Sequence, residues 1–293
     1  TRDKFEALFG DLYIGQHPTP SRNSYLVLYL NFSGIVGELH NYRKGLDAHC
    51  QTMFDYFCDI YADYLPQGIK EKLDEKSGAI EQLEYLFTEC NKTEQKIYLF
   101  IDEYDHFTNA ILSDAESLHR YTEETHKEGY LRAFFNKVKA GTDSCIKRCF
   151  ITGVSPVTMD DLTSGFNIGW NISTKHQFNM MLGFSETDVR TMLQYYKEAG
   201  KLPEEADVET MIQEMKPWYD NYCFAEESLE RDPKMFNCDM VLYYLRNYID
   251  LGKSPKEMID PNTRTDYSKM KKLIRLDKLD GNRKGVLRKI TEE

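Results

Sequence analysis

The 293-residue sequence predicts an α/β fold, a parallel sheet flanked by helices and followed by a mainly helical second domain. Three observations carry this. The uninterrupted apolar run at 97–101 has the length of a strand buried on both faces, and 25–30 and 145–152 read as further strands. Stretches of helical periodicity separate them, which is the βαβ pattern of a parallel sheet. After Gly183 the character changes and amphipathic helical stretches take over, so a boundary is expected between domains at 1–183 and 184–293.

Taken in order, residues 1–20 read as a helix end followed by the turn-rich Gly15-Gln-His-Pro-Thr-Pro20. Tyr25-Leu-Val-Leu-Tyr-Leu30 is the first strand and runs into a polar loop at Asn31-Phe-Ser-Gly34. Residues 38–64 place Leu39, Leu46, Met53, Phe54, Phe57 and Ile60 on one helical side, closed by Pro66 and Gly68. A second amphipathic helix is expected at 78–90, then the strand at 97–101. Residues 106–140 read as mostly helical with a charged interruption at 113–129. Cys145 to Thr152 is the next strand, and Phe178-Asn-Met-Met-Leu182 a short fourth one in the same sheet. Ser185 is the expected N-cap of the following helix, with Glu186 and Asp188 in its first turn. Within the aromatic cluster Trp218-Tyr-Asp-Asn-Tyr-Cys-Phe224, Asp220 and Asn221 read as a hairpin turn.

Composition narrows the function classes. A 41% hydrophobic and 29% charged chain is that of an ordinary globular protein. The net charge of −11 argues against a broad electrostatic grip on nucleic acid. Seven scattered cysteines, an odd number without a Cys-x₂-Cys pair, point to neither a disulfide framework nor a zinc site and fit the cytoplasm. A membrane span is not expected, because no apolar run reaches the necessary length.

The most informative stretch is Lys96-Ile-Tyr-Leu-Phe-Ile-Asp-Glu-Tyr-Asp105. Carboxylates at the C-terminal edge of a parallel strand sit where open α/β sheets bind ligands. An apolar strand ending in Asp-Glu is the Walker B pattern, in which the first carboxylate holds Mg²⁺, usually through water, and the second polarises the attacking water. The alternative is a buried strand running into an acidic helix cap.

Tyr98-Leu-Phe-Ile-Asp-Glu-Tyr-Asp105, Phe150-Ile-Thr-Gly-Val-Ser155, Leu182-Gly-Phe-Ser-Glu186 and Trp218 to Phe224 together resemble the predicted AAA-type ATPase family found widely in gut bacteria, within the P-loop NTPase superfamily. The resemblance covers about residues 5 to 285. It implies a P-loop NTPase-like sheet with a lid-like helical domain, and ATP and Mg²⁺ as cofactors of the full-length protein. It also implies Asp102 as the Mg²⁺-associated carboxylate, Glu103 as the catalytic glutamate and Thr152 as the polar sensor near the γ-phosphate, with Ser155 a weaker candidate. Partners implied are ATP and, through a nuclease-like domain common in the family, nucleic acid; an oligomer is compatible with it.

The departure from the family is that Gly-x₄-Gly-Lys-Ser/Thr occurs nowhere in the chain. That loop supplies the N–H cradle and the lysine for the phosphates. Gly252-Lys253-Ser254 is a decoy, since Asn247 stands where the first glycine belongs and Pro255 follows. The chain is therefore expected to start after the phosphate loop and to end before any nuclease domain. Without the strand that precedes that loop, a slot about 10 Å wide would separate the strands at 146–152 and 178–182, two strand spacings across. Asp105 reads as a cap of the next helix or a partner of the site, and His106 as structural. Arg148 reads as a strand-end ion pair rather than an arginine finger, and the basic run from Lys269 to Lys289 as a solvated helix face rather than a nucleic-acid contact.

Overall fold

The computed structural model describes residues 2–35, 42–106, 129–153, 169–231 and 234–261. The chain divides into two compact units, Thr1–Ile168 and Gly169–Glu293.

In the first unit, β1 (Leu26–Asn31), β2 (Ile97–Asp102) and β3 (Ile146–Ile151) form a parallel sheet in the order β1-β2-β3. The register runs without a break from Leu26 opposite Ile97 to Asn31 opposite Asp102. On the other side Leu99 faces Cys149 and Ile101 faces Ile151. Helices α1 (Arg2–Phe9) and α2 (Tyr13–Gln16) precede β1. Between β1 and β2 lie α3 (Tyr42–Ile60), α4 (Ile69–Asp74) and α5 (Ala79–Lys92), and α6 (Tyr130–Thr142) leads into β3.

These helices form where the apolar spacing allows one buried stripe. In α3, Leu46, Cys50, Phe54 and Phe57 recur every three or four residues and are all buried. In α5 the stripe is Leu83, Leu86, Phe87 and Cys90, and in α6 it is Leu131, Phe134, Phe135 and Val138. Together they cover one face of the sheet, where Leu26, Leu28, Leu30, Ile97, Leu99 and Ile101 are buried.

The strand at 97–101 was expected to be buried on both faces, and here the structure differs. Val27 and Tyr29 on the second face of β1 are 45% and 47% exposed. Tyr98, stacked on Phe100 with ring centroids 4.2 Å apart, is half-buried. Among the described residues, helices reach this face at its N-terminal end, where Phe5 of α1 and Ile14 of α2 line a cavity with Tyr25 and Tyr98. The alternation is the period-2 pattern of a strand with one covered face. Aromatic and β-branched residues on the outer face disguise it in the sequence.

The second unit contains α7 (Glu186–Glu198), α8 (Val208–Tyr219), α9 (Cys238–Leu251) and a short antiparallel ribbon of β4 (Asp220–Tyr222) and β5 (Met235–Phe236). Val189, Leu193, Met211, Ile212, Tyr219 and Tyr244 build its core. Ser185 caps α7 as expected, and its partner is Asp188 in a reciprocal capping box. Gly252 closes α9 at φ 67°, and its N–H donates to Tyr248 O at 2.9 Å. Gly252-Lys253-Ser254 is thus a helix C-terminus, the left-handed stop that glycine supplies.

Two expected elements are corrected. Residues 178–182 are not a fourth strand: His176–Phe178 is a 3₁₀ turn, and the residues after it form turns and bends. Asn179 is buried and its Oδ1 accepts the backbone N–H groups of Phe224 at 2.8 Å and Ala225 at 3.0 Å, which ties the run to the second unit. Phe184 then pairs with Phe236 in an antiparallel bridge. The anticipated slot therefore lacks its second wall, and β3 is an edge of the sheet among the described residues. Asp220 and Asn221 are not a hairpin turn but lie within β4; the connection from β4 to β5 is 223–234. Pairing of Asp220 with Phe236 and of Tyr222 with Met235 keeps the chain extended there.

Candidate functional site

Asn31, Asp102 and Thr152 stand side by side at the C-terminal ends of the three parallel strands. Asn31 is the register partner of Asp102. Thr152 continues the ladder one residue past β3, donating its N–H to Ile101 O at 2.9 Å. Asp102 is the focus. Its Oδ1 accepts the Thr152 hydroxyl and, at 3.0 Å, the N–H of Glu103. Its Oδ2 accepts the Tyr29 hydroxyl at 2.8 Å. The Thr152 hydroxyl, then that of Tyr29, hold the Asp102 carboxyl below its ordinary value of 3.8 against a small desolvation effect. The same bond pushes the Tyr29 phenol up. Asp102 is therefore a carboxylate at neutral pH.

Glu103 follows in the left-handed region at φ 50°, an uncommon conformation for a residue with a side chain. It turns the chain sharply off the end of β2. His106 closes the turn by donating its N–H to Glu103 O at 2.9 Å, and its Nδ1 lies 3.3 Å from Glu103 Oε2. Both side chains are about half exposed, so the Glu103 carboxylate faces water at the sheet edge. Tyr104 turns inward and donates its N–H to Thr152 O at 3.1 Å, and Asp105 beside it is buried.

Of the residues singled out by sequence, Asp102, Glu103 and Thr152 come together here. Ser155 and the run from Lys269 to Lys289 lie outside the described residues, as does the helix that Asp105 was expected to cap. Arg148 makes no ion pair among the described residues; it is exposed on β3, with Nη1 3.5 Å from Lys147 O. In the aromatic cluster Tyr219 is core while Trp218 is 53% exposed. Tyr29 was missed by sequence reasoning. The available signal was its position two residues before the end of β1, on the same face as Asn31.

An ionised carboxylate offers about four lone-pair positions. Three on Asp102 are taken by Thr152, Glu103 and Tyr29. No group of three His, Cys, Asp or Glu that could hold a metal occurs among the described residues. The donor set fits a hard cation that touches Asp102 through one oxygen or through water and takes the rest of its shell from waters and a substrate. That is the habit of Mg²⁺ at phosphate sites.

No curated protein and no solved structure matches the chain. No helix among the described residues is long and apolar enough to cross a membrane. The family model for predicted AAA-ATPases matches residues 1–163, more than half the chain, and so spans all three strands and the Asp102 site. The chain belongs to the predicted AAA-ATPase family.

Proposed function

We propose that the first unit is an ATP-binding and ATP-hydrolysing module. One observation carries the reading. The middle strand of a parallel sheet ends in an ionised aspartate, held by hydroxyls from both neighbouring strands and followed at once by a water-facing glutamate. Mg²⁺, when bound, would neutralise charge on the phosphate oxygens. Asp102 would hold it, directly or through water. Glu103 would orient the attacking water and accept its proton. Thr152 would be the polar sensor, coupled to the metal-associated carboxylate because its hydroxyl donates to Asp102. The cytoplasm is the proposed location.

A second reading, a non-catalytic regulatory or interaction module on the same fold, is favoured by the lack of a Gly-x₄-Gly-Lys-Ser/Thr motif in these residues. A role in nucleic-acid processing rests on family analogy alone. Calorimetry with Mg-ATP, together with phosphate-release assays, separates the two readings. In the ATPase reading, Asp102→Ala loses Mg²⁺-dependent binding. Glu103→Gln keeps binding and lowers turnover by roughly 10²–10⁴-fold. Without the phosphate loop, binding by these residues alone is expected to be weak; nucleotide binding that is indifferent to Asp102 supports the second reading.

A further inference from the structure

We infer that Tyr29 is the positioning residue of the Asp102 carboxylate, fixing the oxygen that faces an incoming metal-nucleotide complex. The inference rests on the ATPase reading above. Tyr29 pairs in register with Phe100, so Asp102 is its diagonal neighbour two residues further along β2. A long aromatic side chain can span that diagonal, and the phenol reaches Oδ2 at 2.8 Å.

The two carboxylate oxygens are held unequally. Oδ1 has two donors, the Thr152 hydroxyl and the Glu103 N–H. Among the described residues, Oδ2 has Tyr29. The terminal torsion of an aspartate is broad, so donors on Oδ1 alone would leave Oδ2 free to swing about that anchor. The Tyr29 hydroxyl removes this freedom and leaves one lone pair of Oδ2 unoccupied among the described residues. The Asn31 side chain also hydrogen-bonds the Tyr29 hydroxyl, whose oxygen keeps a lone pair that can accept from a water on the cation.

Tyr29 is also poorly explained as a packing residue. It is 47% exposed, whereas its neighbours Leu28 and Leu30 are 1% and 0% exposed and carry the core contact of the strand. Loss of the hydroxyl alone therefore leaves the core of β1 untouched. Partners that orient a metal ligand typically matter by about 10–100-fold in metal affinity or activity.

The test uses the 293-residue chain with Mn²⁺ as a paramagnetic stand-in for Mg²⁺, titrated in the presence of ATP. Free Mn²⁺ is followed by electron paramagnetic resonance, uptake being counted beyond that of ATP alone at the same concentration, and metal-free ATP affinity is measured in parallel. Tyr29→Phe is expected to weaken Mn²⁺ binding about tenfold while metal-free ATP affinity and the thermal midpoint stay at wild-type values. Asp102→Asn is expected to weaken it at least as much. Wild-type Mn²⁺ affinity in Tyr29→Phe, with Asp102→Asn impaired, overturns the role of Tyr29 and leaves the ATPase reading standing. A parallel loss of metal-free ATP affinity or of thermal stability in Tyr29→Phe assigns the residue to structure and overturns the inference. Indifference to Asp102→Asn, or no Mn²⁺ uptake by the wild-type chain with ATP, overturns the ATPase reading and the inference with it.

Discussion

Gly153 lies against the ring of Tyr104, so closely that a Cβ at that position would overlap the ring and stand 2.6 Å from Asp105 Oδ1. The contact locks the exit of β3 to the exit of β2. It works together with the Tyr104 N–H bond to Thr152 O at 3.1 Å. The left-handed turn that presents Glu103 immediately precedes Tyr104, where both ties end.

Gly153→Ala should therefore be destabilising even though Gly153 itself is exposed. Tyr104 is 5% exposed and has little room to retreat. Overpacking of this kind costs about 1–3 kcal/mol. Urea denaturation measures it directly, and a wild-type midpoint would show that the Tyr104 ring moves aside freely.

Thr152 supplies a donor to a charged acceptor, so the hydroxyl matters more than the methyl. Thr152→Ser should stay close to wild-type stability. Thr152→Val, nearly the same shape, should lose about 1.5 kcal/mol, the low end for a bond to a charged group because the site is partly hydrated. Equal stability of the two variants in chemical denaturation would mean that Asp102 finds another donor.

In the second unit, Asn179 replaces two backbone acceptors at once. Its Oδ1 takes the N–H groups of Phe224 and Ala225 in a buried setting. Asn179→Ala leaves both unsatisfied, at a cost on the order of 3 kcal/mol. The chain has two tryptophans, Trp170 and Trp218, and both fall in this unit, so tryptophan fluorescence during unfolding reports on it specifically. A change below about 1 kcal/mol would indicate that water reaches the freed N–H groups.

The same fluorescence signal should reveal an acid limb. Hydrogen bonds from Lys216 and then Arg190 hold Glu186 below its ordinary 4.5, a bond from Arg190 does the same for Glu209, and bonds from Thr210 hold Asp207 below 3.8. Folded-state values that are depressed mean that the unfolded chain binds protons first as pH falls. The stabilisation is complete above about pH 5 and is lost as pH drops through the depressed values. The midpoint of the second unit should fall between pH 5 and pH 3, and less steeply at high salt, because these groups are at the surface. A flat profile would show that the pairs contribute nothing to folding.

Thiol chemistry gives a fifth check. Burial pushes Cys58 and Cys149 up to about 12, and it raises Cys50, Cys90 and Cys145 as well. The thiolate is the reactive form. These five should resist alkylation at pH 8 in the folded protein and label together with the remaining two on unfolding, as read by mass spectrometry. Rapid native labelling of Cys149 would mean that β3 opens at the edge it forms among the described residues.

Local patterns alone settle part of this protein. The three strands, the stop of β2 at Asp102 and the cap at Ser185 depend on apolar runs and on contacts three residues apart, all visible in the linear sequence. The amphipathic stripes of α3, α5 and α6 are of the same kind. Strand order, by contrast, decides that Tyr29, Asp102 and Thr152 meet, across separations of 73 and 50 positions. Nothing within one strand encodes which strand lies beside it. The covered face of the sheet was illegible because Val27, Tyr29, Tyr98 and Phe100 look like core residues by composition, and only the helix layer over Leu28, Leu99 and their neighbours distinguishes the two sides. The run at 178–182 was misread for a related reason. Its apolar side chains suit a strand, but the two backbone N–H groups that capture Asn179 lie some 45 residues downstream, and that long-range bond outweighs the local preference.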